Sequence, residues 1–257
     1  MSIIQEMLSK QPPRFIYHYT NQAGLKGILE EKQIWASDVH YLNDSQEFSH
    51  AVEIVKAEIR RRLKGKAAKT HGAFFLQVQK MLEFISPFAM YVSSFSGEID
   101  KLSQWRGYCS NGQGFCICFD AGKLGEIMRT HKFILRPCIY EEKEQKLFLK
   151  ELLDNFMVDY DNAISNGSNR VDEVVGNFIF RFIGYAPLMK IAAFSEEMEW
   201  RVIFEIPSMK DSKKLKWRAG KSALIPYLEV GLSNALHDLP ITKIIVGPGP
   251  HQAHILN

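Results

Sequence analysis

Arg14-Phe15-Ile16-Tyr17-His18-Tyr19-Thr20 is a short, largely apolar stretch that ends in a histidine and a hydroxyl. It leads into a helix-like segment, Gly24-Leu25-Lys26-Gly27-Ile28-Leu29, and then into Ile34-Trp35-Ala36-Ser37-Asp38, which reads as a second strand. The unit is therefore strand, loop, short helix, strand. Side chains at such a strand end emerge beside free helix N–H groups, where α/β proteins place ligand contacts.

Working outward, helical periodicity is clearest from Ser45 to Arg62, where Phe48, Val52, Val55 and Ile59 share one stripe. Asp44 or Ser45 can cap its first turn. Thr70 to Ile85 is expected to be helical and to stop at Ser86-Pro87. Strands follow at Phe88 to Phe95 and Gly114 to Phe119, then helices at Glu141 to Ser165 and Val171 to Tyr185. Trp200 to Ile206, Lys213 to Trp217, Ala223 to Val230 and Lys243 to Val246 read as strands, the last closed by Gly247-Pro248-Gly249-Pro250. Helices in the middle and strands from distant segments make this an α+β chain rather than a repeating βαβ one.

The chain has 257 residues, 46% hydrophobic and 24% charged, the ordinary composition of a globular protein. A net charge of +3, from 32 basic against 29 acidic residues, does not by itself argue for nucleic-acid binding. The local run Arg60-Arg61-Arg62-Leu63-Lys64-Gly65-Lys66 reads first as a solvated helix end. There is no apolar run of membrane-spanning length and no signal-peptide pattern at the start, so a cytoplasmic protein with no membrane association is expected. Cys109, Cys116, Cys118 and Cys138 form no C-x-x-C pair and are expected to be free, buried thiols.

P-loop, G-x-G-x-x-G, G-x-S-x-G and H-E-x-x-H signatures are absent, and the histidines lack metal-ligand spacing. Four segments carry candidate chemistry. His18, flanked by Tyr17 and Tyr19 and followed by Thr20, can direct hydrogen bonds to ribose hydroxyls or an amide; it can equally bond a backbone carbonyl inside the sheet. Leu42-Asn43-Asp44-Ser45-Gln46-Glu47 is explained by a helix cap, with a pocket-lining Asn/Asp pair as the functional alternative. Ser94 and Ser96 fall on one side of a strand, and Trp105, Arg106 and Tyr108 offer aromatic faces and a cation for a planar anion. Glu197 and Glu199 put two carboxylates on one face if the segment is extended, although a surface edge with Glu199 pairing Arg201 or Lys190 is also consistent.

Taken in order, these segments resemble the bacterial domain of unknown function 2971 family. The matching pieces are Tyr17-His18-Tyr19-Thr20 with Gly24 to Leu29, Tyr41-Leu42-Asn43-Asp44 with Glu47, and Phe95-Ser96 with Trp105 and Tyr108. Gly114 to Phe119, Glu197 to Arg201, Ile225-Pro226-Tyr227 and Val246-Gly247-Pro248 complete the resemblance. The family pattern continues past the Gly-Pro turn with a helix and a last strand, which a chain ending at Asn257 is expected to lack.

The layout in turn resembles the ADP-ribosyltransferase fold. That resemblance implies one domain over 1–257: a split mixed sheet flanked by helices, with a helical insertion at about 141–186. It implies an NAD-consuming enzyme that modifies a macromolecule, nucleic acid or protein, as a toxin or anti-phage effector restrained by an antitoxin or inhibitor. His18 would contact the ribose beside Tyr19 and Thr20, and Ser94 and Ser96 would support the pocket. Tyr41 or Trp105 would stack nicotinamide, Arg106 or Arg14 would meet the pyrophosphate, Glu199 would be catalytic and Glu197 would orient the acceptor. A non-catalytic nucleotide-binding module and a metal-assisted nuclease built on Asp44, Glu47 and Glu199 are the rival expectations.

Overall fold

The computed structural model describes residues 2–42, 46–85, 90–109, 114–166, 171–204, 215–220 and 223–247. In chain order the elements are α1 Ile3–Ser9, β1 Phe15–Thr20, α2 Gln22–Glu31, β2 Gln33–Asp38, α3 Gln46–Leu63 and α4 Ala68–Glu83. There follow β3 Tyr91–Ser96, α5 Leu102–Tyr108, β4 Phe115–Asp120, α6 Ala121–Thr130, β5 Phe133–Pro137, α7 Glu142–Ser165 and α8 Val171–Tyr185. The last described elements are β6 Glu199–Phe204, β7 Lys216–Ala219, β8 Leu224–Gly231 and β9 Ile241–Val246. Residues divide into two compact units: Met1–Ser9, Val39–Met90 and Ile139–Ala192 form a helical unit, and the remainder forms a sheet unit.

In the helical unit α3, α4, α7 and α8 pack on one another through the periodic stripes. Phe48, Val52, Val55 and Ile59 are buried as the periodicity requires, against Phe74, Phe75, Phe148, Phe178 and Phe182. Each such side chain removed from water contributes about 1.5–3 kcal/mol. The unit therefore takes in 39–90 as well as the segment expected as an insertion. Its core holds an ion pair, Lys190 Nζ to Glu47 at 3.5 Å, with both side chains essentially inaccessible. Gln145 braces it, donating to the carbonyls of Ile139 (2.6 Å) and Lys190 (2.8 Å).

All described strands lie in the sheet unit, in one sheet whose pairings are antiparallel throughout. A mixed sheet was expected, and the register shows why the parallel pair is missing. Val92 of β3 pairs with Ser37 of β2 and Ile203 of β6, so β2 and β6 occupy opposite edges of β3. Ser96 pairs with Tyr17 of β1 and Glu199 of β6, so β1 lies on the same edge as β2. β1 and β2, joined through α2, do run parallel, but each takes one end of β3 and they never meet. The sheet is split there into a β2–β8–β7 arm and a β1–β4–β9 arm.

Local sequence explains the elements beside the split. Asn21 caps α2, its side chain accepting from Gly24 N at 2.9 Å, and Lys32 ends the helix at φ 49°. Asp120 caps α6 in the same way through Lys123 N, at 3.0 Å. No described helix is long and apolar enough to cross a membrane.

Candidate functional site

At the split, β3 residues between Val92 and Ser96 have no strand partner on one edge, yet their polar groups must still be satisfied. Side chains do this. His18 Nδ1 lies 3.0 Å from the Ser94 carbonyl, and because a carbonyl only accepts, Nδ1 carries the proton. Ser93 Oγ donates to the Trp35 carbonyl of β2 at 2.7 Å. Burial pushes the His18 pKa down from its ordinary value, and the hydrogen bond to Ser94 opposes this only in part. His18 is thus a neutral imidazole, its ring packed on Phe95 at 5.6 Å between centroids.

Directly paired residues point to the same side of a sheet. Tyr17, Ser96 and Glu199 therefore form a row on one face, with Tyr19, Ser94 and Arg201 on that face as their i±2 neighbours. His18 and Thr20 alternate to the other face. Glu199 and Arg201 are both buried, and Arg201 donates to both carboxylate oxygens, Nε to Oε1 at 2.7 Å and Nη2 to Oε2 at 3.3 Å. Of the two pairings expected for Glu199, the one with Arg201 is formed. Ser96 Oγ lies 2.8 Å from the Glu197 carbonyl and 3.0 Å from that of Glu98, and accepts from Glu98 N at 3.1 Å.

The loop after β3 is pinned to the same face. Tyr19 Oη accepts from Lys101 N at 3.1 Å, and burial raises the phenol's pKa strongly. Trp105 is buried edge-on against Tyr19, and its indole N–H donates to Asp100 at 2.8 Å. Trp105 therefore braces the loop rather than offering a free stacking face. Gly247 is required beside it, since a Cβ there would come within 2.7 Å of the indole ring. Cys109 and Cys116 complete this cluster; all four thiols are free and buried, and burial pushes Cys116 up to about 12.

Other expected site residues lie elsewhere. Glu197 ends a 3₁₀ turn, Ala192–Glu197, and Met198 at φ 42° reverses the chain before β6, so Glu197 and Glu199 do not share one face of an extended strand. Arg106 and Tyr108 are exposed on α5, and Arg14 lies 5.0 Å over the Phe15 ring. Tyr41 is exposed and belongs to the helical unit, as does Glu47. Asn43 and Asp44 lie outside the described residues. Among the described residues no three His, Cys, Asp or Glu side chains are grouped to hold a metal ion.

The basic run behaves as a helix end. Arg61 and Arg62 both pair with Glu58, and Arg62 also reaches Asp154 at 2.7 Å, beside a cavity of about 250 Å³ in the helical unit. These contacts hold Glu58 down at about 2, with the Arg61 hydrogen bond the largest cause.

Sequence reasoning passed over Trp35, Ser37, Tyr227 and Arg218, which occupy the Glu199 face on the other arm of the split. The alternation Trp35-x-Ser37 was the available signal. No curated protein and no solved structure matches the chain significantly. Residues 104–202, running from α5 through α7 and α8 to Glu199 and Arg201, match the family model described as protein of unknown function (DUF2971), which supports the resemblance to that family.

Proposed function

We propose that the sheet unit is an NAD-consuming ADP-ribosyltransferase that modifies a macromolecule, with Glu199 acting at the nicotinamide ribose. The observation that carries this reading is the row Tyr17, Ser96, Glu199 across three strands at the point where the sheet splits. In the reaction the ribose C1′–N bond breaks, and its electron pair leaves with nicotinamide. The positive charge that develops at C1′ and the ring oxygen resembles that in glycoside hydrolysis. A fixed carboxylate stabilises such charge without reorganising. Arg201, donating to both carboxylate oxygens, holds Glu199 in one orientation. An O–H or N–H group of the acceptor then attacks C1′ and loses its proton to solvent, and Glu197, on the turn before β6, is assigned to orient that acceptor. His18, neutral and engaged at Nδ1, shapes the split from behind rather than gripping the ribose. A protein side chain or a nucleic-acid base fits as acceptor, and a toxin or anti-phage effector held by an inhibitor is the role consistent with such chemistry.

A non-catalytic nucleotide-binding module is the second reading. It is favoured by Glu199 being already engaged by a buried guanidinium, which weakens its field at a nearby cation. Incubating the full chain with NAD, following free nicotinamide by chromatography and measuring binding by calorimetry, separates the two. Release of nicotinamide supports the enzyme; binding without release leaves the module.

A further inference from the structure

The β2–β8–β7 arm carries a cation that forms no ion pair among the described residues. Arg218 of β7 is partly buried, and its Nη2 donates to Ser37 Oγ at 3.2 Å. Its Nε–H is buried without an acceptor, and it makes no ion pair among the described residues. Its neighbour Lys216 is, by contrast, paired with Glu229 at 2.7 Å. Taking a guanidinium out of water without an anion is costly, and burial accordingly lowers the Arg218 pKa. Two residues along β2 from Ser37, Trp35 is 47% exposed and its ring leans on Tyr227 at 4.5 Å between centroids. A planar aromatic face and a guanidinium with no ion pair among the described residues, on one face of the same arm, fit a group that is both aromatic and phosphorylated.

The register sets this group against Glu199. Ser37 pairs with Val92, and Glu199 pairs with Ser96 on the opposite edge of β3. Two strand spacings of about 4.8 Å and four residues at about 3.3 Å put Ser37 roughly 16 Å from Glu199 on the same face. Trp35 lies two residues nearer the Glu199 level than Ser37 does, so the span suits a dinucleotide bent at its pyrophosphate, with the adenine folded back toward Trp35.

We propose that Arg218, oriented by Ser37, binds the pyrophosphate of NAD and that Trp35 stacks on its adenine. The assignment rests on the NAD reading for the identity of the ligand, while the site itself is a phosphate-and-purine site. Calorimetry with ADP and with inorganic pyrophosphate, on the full chain and on Arg218→Gln, Arg218→Lys and Trp35→Ala, tests it. Arg218→Gln should weaken both ligands about 10- to 100-fold, the loss of charged hydrogen bonds, with Arg218→Lys intermediate. Trp35→Ala should weaken ADP and spare pyrophosphate. If NAD is hydrolysed, the Arg218→Gln effect should fall mainly on KM. ADP binding that depends on Arg218, with no NAD turnover, would sustain the subsite and defeat the enzyme reading. NAD turnover with unchanged KM in Arg218→Gln would overturn the subsite and leave the enzyme reading standing. No ADP binding by the wild-type chain would also overturn it.

Discussion

Replacing His18 with Ala removes the donor that satisfies the Ser94 carbonyl where no strand reaches it. A carbonyl left buried without a partner costs about 1–3 kcal/mol, and the lost ring contact with Phe95 adds about 1 kcal/mol, so a loss of about 2–4 kcal/mol is expected near neutral pH. The loss should depend on pH. The folded His18 pKa lies below the ordinary 6.5, so below that pH the unfolded chain takes up a proton that the folded chain refuses. Stability contributed by the neutral imidazole is complete above pH 6.5 and falls as the pH drops through the window beneath it. The slope is at most about 1.4 kcal/mol per pH unit for one proton. All four tryptophans, Trp35, Trp105, Trp200 and Trp217, lie in the sheet unit, so their fluorescence during urea unfolding reports that unit directly. The gap between wild type and His18→Ala should be widest near about pH 7.5 and narrow toward about pH 5. A loss under about 0.5 kcal/mol, or a gap that does not change with pH, would refute a histidine that stitches the split.

Two further outcomes follow from the packing around Tyr19. Gly247→Ala sets a methyl within 2.7 Å of the Trp105 ring and should cost about 1–3 kcal/mol by overpacking, lowering the melting temperature by several degrees; an unchanged melting curve would contradict that contact. Cys116, buried and with its thiol raised to about 12, should resist iodoacetamide in the native protein and react once urea opens the sheet, as mass spectrometry of the alkylated peptides would reveal.

Much of the fold was legible because its signals are local. The Phe48, Val52, Val55, Ile59 stripe gave α3, and the apolar run Gly114 to Phe119 gave β4. α6 was missed because Gly122 and Gly125 weaken its propensity, and the Asp120 cap that starts it ends a strand read for its apolar residues. β5 is five residues with an Arg-Pro end, too short for alternation to speak. The site was legible only in part. Glu199, Ser96 and Tyr17 meet through pairings across three strands, which no spacing in the chain encodes. The Glu197-x-Glu199 expectation failed on Met198, where a positive φ breaks the extended backbone. Arg218 was invisible because its meaning comes from the partner it lacks among the described residues, not from its neighbours in sequence.

The central claim is that Glu199, at the end of the Tyr17–Ser96 row, acts on the nicotinamide ribose. Nicotinamide release from NAD by wild-type and Glu199→Gln chains, at equal NAD occupancy, tests it most directly. Glutamine keeps the size and one acceptor oxygen but cannot offset a developing cation, so release should fall at least about 100-fold, as for removal of an electrostatic stabiliser, with NAD affinity little changed. Release that continues at the wild-type rate in Glu199→Gln would contradict the claim.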